Sequence, residues 1–199
     1  MGFKVNETAI VLIEFQNDFC KQGYPLYSAV ETVLKGYNVI ENTVELVRSA
    51  RNKGVLIIGC PIVFESDYKD LGQEFGIKAN VKKLGVFRRG TKGAEFIDEL
   101  KPYIDIYVEG KRGLDGFHGT NLDVILRYRG IKNVAIAGFL TNVCVESTAR
   151  TAFDLNYKVI IIKDCTAASS WEEQKYAEEK LFPLIAEVMT HKEFLEKLE

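Results

Sequence analysis

Histidine is nearly missing from this 199-residue chain, with His118 and His191 its two copies. They lie far apart in sequence, so the close His spacing of a common zinc site is not present. The four cysteines, Cys20, Cys60, Cys144 and Cys165, form no C-x-x-C. That removes the usual signature of thioredoxin-like redox chemistry and of a zinc ribbon, and their scatter suits no disulfide scaffold. Only 4 Pro and 16 Gly are spread among regular apolar segments, which argues against disorder. No apolar run approaches the roughly 18 residues of a membrane span. The first residues lack a signal peptide's apolar region, and Asn6 stands where a myristoylation pattern wants Ser or Thr. Basic runs stop at two residues and the net charge is −2, so nothing is built for a phosphate backbone. There is no G-x-S-x-G, and no G-x-G-x-x-G follows a strand, which disfavours a serine nucleophile elbow and a dinucleotide site. The stretch Gly85-Val-Phe-Arg-Arg-Gly90-Thr-Lys92 looks like a phosphate loop, but its last two residues come in the wrong order.

What is present is ordinary for a soluble globular protein: 47% hydrophobic and 27% charged residues. The length suits one domain, expected over 1–199, and the compartment expected is the cytoplasm. No nucleic-acid or membrane partner is expected.

Five apolar, β-branched runs begin at Ala9, Val55, Ile104, Val134 and Val159, and a sixth short strand is expected at 186–189. Near-continuous hydrophobicity, rather than alternation, predicts strands covered on both faces, as in a parallel sheet. Between them, Val39, Ile40, Val44, Leu46 and Val47 share one helical face, and Leu122, Ile125 and Leu126 another. Further helices are predicted over about 143–155 and 171–181, the last stopped by Pro183. The repeated β-α-β-α order predicts an open, doubly wound α/β fold with a six-stranded, mainly parallel sheet and helices on both faces. Residues 64–93, rich in Gly and charge, are predicted as an irregular excursion able to cover a pocket.

Sites in such sheets lie beyond the carboxyl ends of the strands. That rule selects four windows, 14–20, 60–65, 109–113 and 138–146. Three of them offer a carboxylate, a lysine and a cysteine, among them Glu14, Lys111 and Cys144, which together could make a base, a cationic orienting group and a nucleophile. Cys144 falls at a strand-to-helix turn, with Thr141 or Asn142 as candidate N-cap. There the helix dipole is expected to lower the thiol pKa, and exposed N–H groups to stabilise an oxyanion. Lys111 reads equally as a solvated lysine beside Arg112. Glu14 ends an all-apolar strand, where a carboxylate needs a partner, structural or catalytic. Asp18 is expected to cap or hydrogen-bond the following loop. His118, in a Gly-rich loop, competes as base for Cys144, and His191 is expected on the surface.

The residues Ala9-Ile-Val-Leu-Ile-Glu-Phe-Gln-Asn-Asp-Phe19, Gly90-Thr-Lys-Gly-Ala-Glu95, Val108-Glu-Gly-Lys-Arg112 and Gly119-Thr-Asn-Leu-Asp123 form one ordered set. Gly138-Phe-Leu-Thr-Asn-Val-Cys144 with its helix, and Asp164-Cys-Thr-Ala-Ala168, complete it. Together they resemble the isochorismatase-like cysteine hydrolases, which include nicotinamidases and related amidases. The resemblance implies a Rossmann-like sheet and a carboxylate–Lys–Cys triad on Glu14, Lys111 and Cys144. Glu14 stands where the family carries Asp, one methylene longer, or about 1.5 Å. An offset of that size costs about 100-fold in rate unless the backbone compensates. The resemblance further implies an oxyanion hole from the N–H groups of Leu140 and Cys144, with a cis peptide between Phe139 and Leu140. Substrate contacts are expected from Phe19, Tyr24, Phe64, Glu65, Phe117 and Phe139.

The stretch after the second strand, Pro61-Ile-Val-Phe-Glu-Ser-Asp-Tyr68, has no His, so neither metal nor cofactor is expected. The implied activity is hydrolysis of the C–N bond of a small amide, ureide or carbamoyl compound through a thioester. A silent ligand-binding protein on the same scaffold and an isochorismatase-type ether hydrolase are the alternatives. The resemblance also implies a homodimer or homotetramer.

Overall fold

The computed structural model describes residues 2–199. Six strands form one sheet: β1 (Thr8–Ile13), β2 (Leu56–Cys60), β3 (Ile106–Tyr107), β4 (Asn133–Phe139), β5 (Lys158–Ala167) and β6 (Glu187–Met189). Their order is β3-β2-β1-β4-β5-β6, and every pairing is parallel. The chain thus winds outward from β1 to one edge, crosses back to β4 and winds to the other edge. The turning point lies between β1 and β4, where a crevice opens at the carboxyl ends.

The helices are α1 (Asn17–Cys20), α2 (Tyr27–Tyr37), α3 (Val39–Asn52), α4 (Lys78–Leu84), α5 (Leu122–Tyr128), α6 (Glu146–Asp154), α7 (Trp171–Tyr176) and α8 (His191–Glu196). Every residue of β1 is buried because the sheet is covered twice. Ile10 and Leu12 point into one core with α2 and α3, while Ala9, Val11 and Ile13 point into the other with α5 and α6. Each such aliphatic side chain contributes on the order of 1.5–3 kcal/mol on burial. In α3 the buried residues Val39, Thr43, Leu46, Val47 and Ala50 recur at helical spacing, as the sequence predicts. Asn38, at φ 53°, separates α3 from α2, a left-handed turn that Asn tolerates. The charged C-terminal helix expected around His191 is α8, whereas α2 has no counterpart among the sequence expectations.

The excursion over 64–93 is partly regular, since it contains α4. Its roots are gripped by three consecutive side chains after β1. Gln16 Nε2 donates to the carbonyls of Ile62 and Ala94, and its Oε1 accepts from Ile62 N–H. Asn17 donates to the carbonyls of Lys92 and Glu95. Asp18 accepts from Phe87 N–H at 2.7 Å, the loop bond expected of it. No helix among the described residues is long and apolar enough to cross a membrane.

Candidate active site

The crevice beside β1 and β4 brings three distant residues together. Glu14 follows β1 directly and has φ 55°, a left-handed conformation strained for a residue with a Cβ. Its N–H donates to Cys60 O at 3.1 Å, anchoring it to the end of β2. Gly138 sets the neighbouring approach: it pairs with Ile13 and has φ 129°. A Cβ there would lie 1.9 Å from Ile13 O, so any other residue forces β1 and β4 apart just below the site.

Lys111 reaches in from the segment after β3. Its ammonium donates to Glu14 Oε1 and to Gly113 O, each at 2.5 Å, and the residue is buried. Lys111 is therefore not the solvated lysine that the sequence also allowed. Burial works against its charge, but the charge of Glu14, with Cys144 and Cys60 adding to it, holds the pKa above the usual value. The segment is fastened to the cysteine turn through Thr148, whose hydroxyl donates to Cys144 O and accepts from Gly116 N–H.

Cys144 lies on a π-helical turn, Thr141–Val145, that runs into α6. Neither Thr141 nor Asn142 caps the turn: Leu140 occupies the N-cap position with no side-chain cap, and the Thr141 hydroxyl donates to Gln174. The peptide between Phe139 and Leu140 is cis. Glu14, Lys111 and the Leu140 N–H all act on the Cys144 thiol. The expected lowering of the thiol pKa does not occur. Burial pushes it well up and the Glu14 charge adds to that, outweighing Lys111 and the Leu140 N–H. Cys60, next to the site, is pushed up to about 12, mainly by burial.

Glu14 and Cys144 line a cavity of about 230 Å³. Of the side chains expected around substrate, Phe19 is on its wall. Phe64 and Phe139 are fully buried in the core, Phe139 packed between Phe15 and Phe19. Phe117 stacks on Tyr157 on the opposite side of the sheet. Glu65 pairs with Arg89 at 3.2 Å, and neither it nor the half-buried Tyr24 lines the cavity. The walls come instead from aliphatic residues such as Ile62, Val81 and Leu140. Sequence reasoning missed Ile62 and Val81 because an apolar side chain after a strand or on a short helix carries no signal separating core from pocket. His118 is exposed and away from Cys144.

His191 was expected at the surface but is 3% exposed. Its Nδ1 lies 2.7 Å from Asp164 Oδ2 and its N–H donates to Asp164 Oδ1, tying α8 to β5. An imidazole anchored to a buried carboxylate can sit inside, which the charged helical sequence around it conceals.

A buried carboxylate–lysine pair against a cysteine, at the switch point of a 3-2-1-4-5-6 parallel sheet, defines an α/β protein with the layout of a cysteine hydrolase. The isochorismatase domain model matches residues 8–193, and the chain belongs to that family. Ureidoacrylate amidohydrolase RutB of Klebsiella pneumoniae subsp. pneumoniae is 33% identical over 83% of this chain and 75% of its own length. An Arabidopsis thaliana protein named "Probable inactive nicotinamidase" is 34% identical over 86% of each chain. Among solved structures, a cysteine hydrolase from Pseudomonas syringae pv. phaseolicola superposes with TM-score 0.85 at 26% identity, covering 99% of this chain and 94% of that one.

Proposed function

We propose that the chain is a cysteine-dependent amidohydrolase cleaving the C–N bond of a small amide, ureide or carbamoyl compound. The carrying observation is the placement of Glu14: its carboxylate accepts from the Lys111 ammonium and shares the wall of one cavity with Cys144. Family membership and the amidohydrolase relative support the same reading.

The steps follow from which group holds the proton. As substrate enters, Glu14 takes the thiol proton while Cys144 sulfur attacks the carbonyl carbon. Lys111 holds the Glu14 carboxylate in place until that moment. The developing oxyanion is bound by the N–H groups of Leu140 and Cys144. Collapse expels the amine or ammonia, which leaves with the proton from Glu14, and a thioester remains. Glu14 then accepts a proton from water, whose oxygen attacks the thioester carbon. The carboxylic product departs and the sulfur regains its proton.

Despite its extra methylene, Glu14 meets Lys111 from this left-handed backbone position, which supports its use here. We extend the reading to one domain over 1–199, assembled as a homodimer or homotetramer in the cytoplasm; sedimentation at monomer mass would remove the oligomer. The test of the chemistry is a screen of amides and ureides for amine release, with mass spectrometry of the quenched enzyme. An acyl adduct on Cys144, absent in Cys144→Ala, is the expected result. Ligand retention with no product, unchanged in Glu14→Asp, would favour a silent binding protein, the reading to which the inactive Arabidopsis relative points.

A further inference from the structure

We propose that the Cys144 cavity selects uncharged amides or ureides bearing an aliphatic group, and that α4 is the element that sets this preference. The inference rests on the amidohydrolase reading above and names its substrate class.

The argument begins with what the cavity lacks. Apart from Glu14 and the cysteine, its walls are apolar, and Asn80 supplies a neutral polar side chain. No Lys, Arg or His lines it. Lys111 stands behind Glu14, with its ammonium engaged by that carboxylate and by Gly113 O. The nearby arginines open elsewhere: Arg89 and Arg112 line a separate cleft of about 410 Å³. They are paired there with Glu65 and Asp70. A substrate carboxylate in the Cys144 cavity would therefore lose its hydration, gain no cation and sit near the charge of Glu14.

The disposition of α4 makes the same point from the other side. Ile77, Val81 and Leu84, spaced at i, i+4 and i+7, face the cavity. The helix's three lysines are not on the cavity wall: Lys78 donates to Leu71 O, Lys82 pairs with Glu74 and Lys83 is exposed. Ile77 is 49% exposed and Leu84 43% exposed, and Leu114, also on the cavity wall, is exposed too. An aliphatic group entering between them removes water from its own surface and theirs, which favours each added methylene about fourfold until the space is filled. At about 230 Å³ the cavity lies below the roughly 300–1,000 Å³ range of drug-sized sites, so the group is short.

The experiment measures kcat/KM for uncharged amides from propionamide to hexanamide, including isovaleramide. Succinamate, glutaramate and ureidoacrylate form the anionic arm. The wild-type protein should gain about three- to fourfold per methylene over the first members. It should favour pentanamide over succinamate by at least about 100-fold, the scale set by a buried unpaired charge. Leu84→Arg and Ile77→Arg, both at half-exposed positions that accept a long side chain, should each raise succinamate turnover at least about tenfold and lower that of pentanamide. Equal rates for the neutral and anionic arms, or rates flat with chain length, overturn the proposal. If nothing is cleaved, the amidohydrolase reading fails by itself. Protection of Cys144 from iodoacetamide then reads the cavity directly: protection by the neutral amides only upholds the preference, and equal protection by both arms overturns it.

Discussion

The molecule holds two buried clusters of the same composition, a carboxylate, a basic group and a cysteine, and they behave differently. In one, Glu14 meets Lys111 and Cys144; in the other, Asp164, Cys165 and His191 bring their donor atoms within 4.8 Å of one another. Asp164 spends both oxygens on His191, one on its N–H and one on its ring. Glu14 gives one oxygen to Lys111 and shares a cavity wall with a thiol that borders open space. Cys165 is fully buried, and its thiol is likewise pushed well up by burial. Residue types alone therefore do not make a site. An acceptor with capacity left over, next to a nucleophile with access, does.

The sharpest way to break the comparison is to delete each cysteine. Cys144→Ala should lower kcat/KM at least about 1,000-fold, as loss of a nucleophile does, while Cys165→Ala stays within a few-fold. Urea unfolding separates the clusters next. Lys111→Met strands the Glu14 charge and should destabilise the fold by about 3–5 kcal/mol. His191→Ala, leaving Asp164 without its ring partner, should cost about 1–3 kcal/mol with kcat/KM unchanged. A fall in kcat/KM with that variant would join the two clusters into one machine.

Alkaline pH tests both clusters at once. Cys20, Cys60, Cys144 and Cys165 all have pKa values raised in the folded state, chiefly by burial. Unfolded thiols ionise near about 8.5, so above that pH the unfolded chain holds fewer protons than the folded one. The stabilisation is thus whole below about pH 8.5 and declines as pH rises, by up to about 1.4 kcal/mol per pH unit for each thiol. For Cys60 the decline continues until about pH 12. Denaturant midpoints between pH 8 and 10 check this, and Cys60→Ala should flatten the slope. A midpoint independent of pH would mean that these thiols are not held protonated. The smallest effect is expected at the surface: Arg89→Ala breaks the exposed pair with Glu65 and should change stability by less than about 1 kcal/mol.

Much of this was legible from local pattern. Continuous apolar runs place strands because a doubly covered strand must be apolar on both sides, and the alternation of strands and helices leaves few ways to wind a parallel sheet. Once the winding is known, the carboxyl-end rule narrows the search to a few short windows that contain Glu14, Lys111 and Cys144, and the family resemblance singles out those three. Asp18 likewise reads as a loop-binding residue. The sequence by itself thus determined the sheet and the chemistry available at its rim.

Tertiary structure decided how that chemistry is set. Whether Cys144 is a thiolate or a thiol depends on burial and on the distance to Glu14, and the sum of those long-range terms reverses the local effect of the helix end. The cavity wall depends on where α4 docks, which Gln16, Asn17 and Asp18 settle through bonds to residues some 46 to 78 positions away. His191 turned inward because Asp164, 27 positions earlier, offers it two acceptors. Local sequence encodes what each segment prefers to be. Electrostatics and pocket shape are sums over neighbours, and the neighbours exist only once the chain has folded.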